Sequence, residues 1–196
     1  MNRWVYATSG IPDNLFKRGK VPMTKEEVRA ITISKLRLKN TDLVVDIGAG
    51  TGSISIEAAL IANEGKVYAV EKNSEGIQLI KENMSIFGMS NIDVVEGVAP
   101  EVLTQIGKVD KVVLGGTGGN IIGIFEWVAQ NLKPTGRIVV NAITIENLYR
   151  SQELMKSSGF ENIEVICVSI SKGRTVGSLT MMEAQNPTYI ISADKK

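Results

Sequence analysis

Short apolar runs alternate with longer, mixed-polarity segments along this 196-residue chain. Leu43–Ile47, Lys66–Val70, Ile92–Val95, Lys111–Leu114 and Arg137–Asn141 read as buried strands. The segments between them carry helical spacing. Thr24-Lys25-Glu26-Glu27 has the form of a capping box before Val28, Ile31, Ile33 and Leu36, predicting a helix to about Leu38. Ile54–Ile61 is mostly apolar, as expected of a crossover helix beside a sheet. Asn73 or Ser74 caps a helix to about Phe87, which Gly88 ends. Further helices run to about Asn131 and to near Ser158-Gly159.

Strand six is expected at about Ile163–Ile170, then a basic loop over Ser171–Gly177, then strand pieces at Leu179–Glu183 and Thr188–Ile191. Alternating strands and helices with two closing strands predict an α/β fold: one doubly wound, Rossmann-like sheet with an antiparallel edge strand. Residues 24–196 form that domain. Residues 1–23 precede it as an irregular segment, read either as a flexible tail or as a lid supplying cations to an acidic substrate.

Two strand ends carry the candidate chemistry. Val44-Val45-Asp46-Ile47 runs into Gly48-Ala49-Gly50-Thr51-Gly52, a strand, a tight turn and a helix start. The dinucleotide fingerprint G-x-G-x-x-G does not fit, because Gly52 comes one place early and Ser53 stands where that pattern wants glycine. Glu71 ends the second strand, about 20 residues on, where a carboxylate accepts from ribose hydroxyls. The other reading of Glu71 is a cap on the next helix. The acid-and-glycine pattern resembles the first motif of class I methyltransferases that use S-adenosylmethionine.

After strand three, Val98 stands where many such enzymes carry an acid toward adenine, so backbone at Gly97 and Ala99 is left to read the base. Strand four leads into Gly115-Gly116-Thr117-Gly118-Gly119, with no Asn-Pro-Pro-aromatic motif. Those glycines predict an open floor with exposed N–H groups for an anionic substrate.

Composition narrows the chemistry. Histidine is absent, which removes the usual general base and the commonest metal ligand, so no metal site is expected. Lys+Arg 22 against Asp+Glu 21 gives +1, too little to draw nucleic acid in bulk. The single cysteine, Cys167, excludes an internal disulfide. No apolar run reaches membrane-spanning length and the start of the chain has no signal-peptide core, predicting a soluble cytoplasmic protein.

Taken together, these segments resemble the cobalt-precorrin carbon-15 methyltransferases that also decarboxylate their substrate in corrin synthesis. The resemblance spans Ile11-Pro12-Asp13, Pro22–Arg29, Asp46–Gly52, Glu96–Glu101, Gly115–Gly119, Asn141–Glu146 and Asn186-Pro187. It implies S-adenosylmethionine as cofactor, contacted at Thr24, Gly48, Ala49, Gly50, Thr51, Gly52, Glu71 and Ala99. It implies a tetrapyrrole substrate and a homo-oligomer, often a tetramer, with no nucleic acid or membrane partner. The family usually has Asp where Val98 stands. Lys17, Arg18, Lys20, Lys25, Arg29 and Arg174 are candidate partners for substrate carboxylates, and Thr144 and Glu146 are further substrate-binding candidates. Same-fold enzymes acting on RNA or on protein carboxyl groups, and a cofactor-binding regulator without turnover, are the competing readings.

Overall fold

The computed structural model describes residues 4–196; residues 1–3 of the amino-terminal segment lie outside the described residues. Strands β1 (Leu43–Ile47), β2 (Lys66–Glu71), β3 (Ile92–Glu96), β4 (Val109–Leu114), β5 (Leu132–Ala142), β6 (Phe160–Val168) and β9 (Thr188–Lys195) form one sheet in the order β3-β2-β1-β4-β5-β9-β6. The first five pair in parallel, and β9 is antiparallel to both β5 and β6. The antiparallel pairing thus sits at the predicted end of the sheet, with β9 one place in from the edge.

Alternate side chains of each strand go to opposite faces, so each face builds its own core. Val45, Ile47, Val112, Leu114, Ile138 and Val140 pack with α4 (Ile121–Asn131) and α5 (Ile145–Ser157). Val44, Val113 and Val139 pack with α1 (Glu26–Leu36), α2 (Ser53–Ile61) and α3 (Ser74–Phe87). The strand order reverses between β1 and β4, and their carboxyl ends open a crevice there, the usual place for a ligand in such sheets.

Several local expectations change. The capping box is not made: α1 begins at Glu26 with Lys25 as cap residue and no side-chain cap bond. Its inward face includes Arg29 and Thr32, fully buried, where apolar spacing alone pointed to Ile31. β5 begins five residues before Arg137, because a register irregularity opposite Val109 and Lys111 absorbs Pro134-Thr135-Gly136. Ser171–Gly177 is not a loop. β7 (Ser171–Val176) pairs with β8 (Leu179–Ala184) as a separate, exposed hairpin. Gly177 and Ser178 between them, with Gly177 at φ 63°, are the two-residue turn signal that marks it.

The amino-terminal segment packs as part of the domain. Ile11 and Phe16 are buried against α2 and α3. The amide of Asn83 on α3 accepts from the Lys17 N–H at 2.7 Å and donates to the Lys17 carbonyl at 3.1 Å and the Thr51 carbonyl at 2.8 Å. One buried side chain thereby ties this segment to the glycine turn.

Candidate active site

A cleft of about 1210 Å³ crosses the carboxyl edge of the sheet. Its β1–β3 half is built by the turn after β1. Gly48 and Ala49 donate to the Val70 carbonyl at 2.9 and 3.0 Å, and Gly50 donates to Glu71 Oε2 at 2.8 Å. Gly48 has φ +74°, and a Cβ there would lie 2.7 Å from the Gly116 backbone nitrogen. Only glycine lets the β1 and β4 loops approach this closely.

Asp46 is fully buried at the end of β1 and lines the cleft. Oδ2 accepts from Ser55 Oγ at 2.6 Å, and Oδ1 has no partner. Burial pushes its carboxyl up from 3.8 to about 6, the Glu71 charge adds to the rise, and the Ser55 hydrogen bond opposes it. Glu71 sits beside it. Oε1 accepts from the Lys72 and Asn73 N–H groups at 2.9 and 2.8 Å. With Gly50 on Oε2, three of about four acceptor positions are filled, leaving about one for a ligand. Glu71 thus organises the start of the next turn and still lines the cleft. The helix cap itself is Asn73, which accepts from Glu75 N.

These features fit S-adenosylmethionine. An unpartnered buried carboxylate oxygen suits a cationic amino group. A carboxylate with one remaining acceptor position suits a sugar hydroxyl. A Cβ at Gly50 would stand 2.9 Å from the Pro22 carbonyl oxygen, so both glycines let neighbouring backbone close over the turn.

A family model for the precorrin methyltransferase domain matches residues 14–195. The chain belongs to that family. A curated relative from Saccharolobus solfataricus, named probable cobalt-precorrin-6B C(15)-methyltransferase (decarboxylating), is 43% identical over 196 residues, covering 98% of each chain. The Salmonella typhimurium protein of that name, without the "probable", is 38% identical over 94% of this chain and 95% of its own. A solved structure titled precorrin-6y C5,15-methyltransferase from Geobacter metallireducens superposes with TM-score 0.92 at 39% identity, covering 97% of this chain and 100% of that one. A tRNA (m1A58) methyltransferase from Aquifex aeolicus, at 17% identity and TM-score 0.75, shares the fold.

The expected site residues of this family member divide in two. Thr24, Gly48, Ala49, Gly50, Glu71, Gly97 and Ala99 line the cleft. Thr51 and Gly52 do not; they are buried behind the turn, with Gly52 packed on Ile80. The Gly97 N–H already donates to the Glu71 carbonyl at 2.9 Å, so it is not open to a ligand. Gly115, Gly116, Thr117 and Gly118 line the cleft and Gly119 does not. Gly115 and Gly116 donate to the Ile47 carbonyl, and the Thr117 and Gly118 N–H groups have no partner among the described residues.

Among the proposed cations only Lys25 lines the cleft. Arg29 is corrected outright: it is fully buried and outside the cleft lining, with four of its five N–H groups donating to Glu57, Asp13 and the carbonyls of Thr24 and Ile11. Lys17, Arg18 and Lys20 are exposed on the amino-terminal segment, away from the cleft lining. Arg174 pairs with Glu183 at 3.4 Å on the hairpin. Thr144 caps α5 by accepting from Asn147 N at 3.2 Å, and Glu146, exposed on the first turn of that helix, is outside the cleft lining, while Ile143, Ile145 and Asn147 line the cleft. Lys72 and Lys172 are the cleft cations that sequence reasoning missed. Lys72 was findable as the residue after Glu71; Lys172 required the hairpin.

Proposed function

We propose that this protein is the S-adenosylmethionine-dependent C-methyltransferase that methylates cobalt-precorrin-6B at carbon 15 and decarboxylates its ring C acetate, giving cobalt-precorrin-7. The observation that carries the cofactor assignment is the buried, unpartnered Oδ1 of Asp46 beside the glycine turn and Glu71. When bound, the cofactor supplies an electrophilic methyl group on a sulfonium. Asp46 holds the amino group of its methionine part, Glu71 takes a ribose hydroxyl, and the backbone N–H groups of Val98 and Ala99 meet the base. The protein's own task is then to hold the macrocycle carbon in line with the methyl group, which needs orientation and no histidine or metal.

The free N–H groups of Thr117 and Gly118, with Lys25, Lys72 and Lys172, bind spectator carboxylates of the substrate. The carboxylate that leaves as carbon dioxide must stay without such partners, since stabilising its charge raises the barrier. The amino-terminal segment contributes Val21–Thr24 as a wall over the cofactor half. The same reading makes the protein a cytoplasmic homo-oligomer of tetramer size. Leu179, Met181 and Met182, exposed on the hairpin, offer apolar surface for that assembly.

The test is incubation of the pure protein with S-adenosylmethionine and cobalt-precorrin-6B, followed by product mass. Gain of one methyl with loss of carbon dioxide is expected. Methylation without that loss removes the decarboxylase half of the reading. No reaction despite cofactor binding removes the substrate.

A further inference from the structure

The cleft exceeds the roughly 300–1,000 Å³ usual for one small-molecule site, and its two halves differ in character. The cofactor features occupy the β1–β3 end. At the β5 end, Ile143 and Ile145 line the cleft at 74% and 70% exposure. β5 buries Ile138, Val140 and Ala142, then turns two isoleucines outward at once. Their placement is fixed, because Thr144 between them caps α5. Solvent-exposed isoleucines paired at a cleft mouth are a recognition feature rather than a folding one.

The α1 side of the cleft has Met23 and Val28 in its lining but also carries charge. α1 packs on the other face of the sheet from α5, and at its start stand Lys25 and Glu27. Glu27 Oε1 holds Lys172 Nζ of the hairpin at 2.6 Å, which fixes that ammonium at the cleft with two donors still free. An apolar shelf facing two cations fits a flat ligand with an apolar face and a carboxylate-bearing edge.

We infer that Ile143 and Ile145 form the shelf on which the apolar face of the tetrapyrrole rests, with edge carboxylates directed to Lys25 and Lys172. This rests on the proposed function and places the macrocycle at the β5–α5 corner. The glycine loop after β4 then contacts the substrate edge and does not serve as its floor.

The test uses Ile143→Ser and Ile145→Ser, singly and together, with Ile143→Leu and Ile145→Val as conservative controls. Affinity for cobalt-precorrin-6B is read by absorbance titration, affinity for S-adenosylmethionine by calorimetry, and molecular mass by sedimentation. Each serine is expected to weaken tetrapyrrole binding about tenfold, the conservative variants little, with cofactor affinity and mass unchanged. Serine variants that bind the tetrapyrrole like wild type overturn the inference and leave the proposed function standing. A fall in mass of the serine variants assigns the isoleucines to contact between copies and also overturns it. Wild-type protein that takes up no tetrapyrrole overturns both.

Discussion

Arg29 Nε meets Glu57 Oε1 at 2.6 Å, with the two side chains 0% and 1% exposed. The same guanidinium donates to the carbonyls of Ile11 and Thr24, and the Glu57 carboxylate accepts the Gly10 and Ile11 N–H groups at 3.0 Å. One ion pair therefore holds both ends of the segment that runs past the cofactor half of the cleft. Arg29→Met leaves the buried Glu57 charge uncompensated and should cost about 3–5 kcal/mol in denaturant unfolding, while Glu57→Leu should cost less, because Asp13 still pairs with the guanidinium at 3.3 Å. Arg29→Lys should recover little, because an ammonium cannot reproduce the fork that reaches two carbonyls and two carboxylates. Wild-type stability in Arg29→Lys would remove that argument.

Asp46 sets ligand binding against stability. Its folded value of about 6 lies above the ordinary 3.8, so the folded state holds this proton more tightly than the unfolded state. Keeping Asp46 ionised therefore costs stability, a cost that grows as pH rises from 3.8 to about 6 and is then constant. The difference of 6 − 3.8 = 2.2 corresponds to about 3 kcal/mol. Asp46→Asn should raise the melting temperature of the ligand-free protein at pH 7.5 and lose the gain near pH 4. Calorimetric scans at both pH values decide it. Equal melting temperatures at pH 7.5 would mean the burial penalty is absent.

The same carboxyl predicts a pH profile for the cofactor. The ionised form attracts a cationic amino group, and the protonated form does not. Affinity for S-adenosylmethionine should be level from about pH 6 to about pH 8, where the ligand's α-amino group loses its proton, and fall up to tenfold per unit below about pH 6. Asp46→Asn should bind weakly with no bend near that pH. A bend retained in the variant would assign the titration to another group.

Glu71 carries a different load. Because its carboxylate already orders three backbone N–H groups, Glu71→Ala removes both a ligand acceptor and the tie between the β1 turn and the start of the next helix. Cofactor affinity should fall by 1.5–3 kcal/mol, roughly tenfold to a hundredfold, as expected for hydrogen bonds to a charged group. Unchanged affinity in a calorimetric titration would confine Glu71 to the capping role.

The parts of this architecture visible in the sequence are those written in local pattern. The five parallel strands follow from apolar runs, Asn73 and Gly88 mark the ends of α3, and Asp46, Gly48, Gly50 and Glu71 announce the tight turn that lines the cleft through chemistry confined to a few residues. What escaped depends on distant partners. Arg29 looks like a free surface cation until Glu57, 28 residues later, is packed beside it. Lys172 lies in a stretch whose glycines suggested a loop, and only its pairing with Glu183 across the hairpin shows a strand. Ile143 and Ile145 flank a capping threonine, and no periodicity distinguishes them from core residues. Their exposure arises from how β5 meets α5.

Gly48 gives the sharpest test of the turn itself. It has φ +74°, and an added Cβ would stand 2.7 Å from the nitrogen and 2.9 Å from the Cα and the oxygen of Gly116, all backbone atoms that cannot swing aside. Gly48→Ala therefore pays both left-handed strain, about 1–2 kcal/mol, and separation of the β1 and β4 loops. The predicted result is loss of at least 2 kcal/mol of stability, with cofactor affinity reduced more than tenfold. Gly107→Ala is the matched control, since nothing lies within 4 Å of its Cβ position and its φ is not positive. There the smaller entropy of the unfolded chain should leave stability equal or raised by about 0.4–1 kcal/mol. Parallel unfolding curves and cofactor titrations on the two variants separate the effect of the site from that of losing a glycine. Similar losses in both would mean that the close approach of the β1 and β4 turns is not what the glycine at position 48 provides.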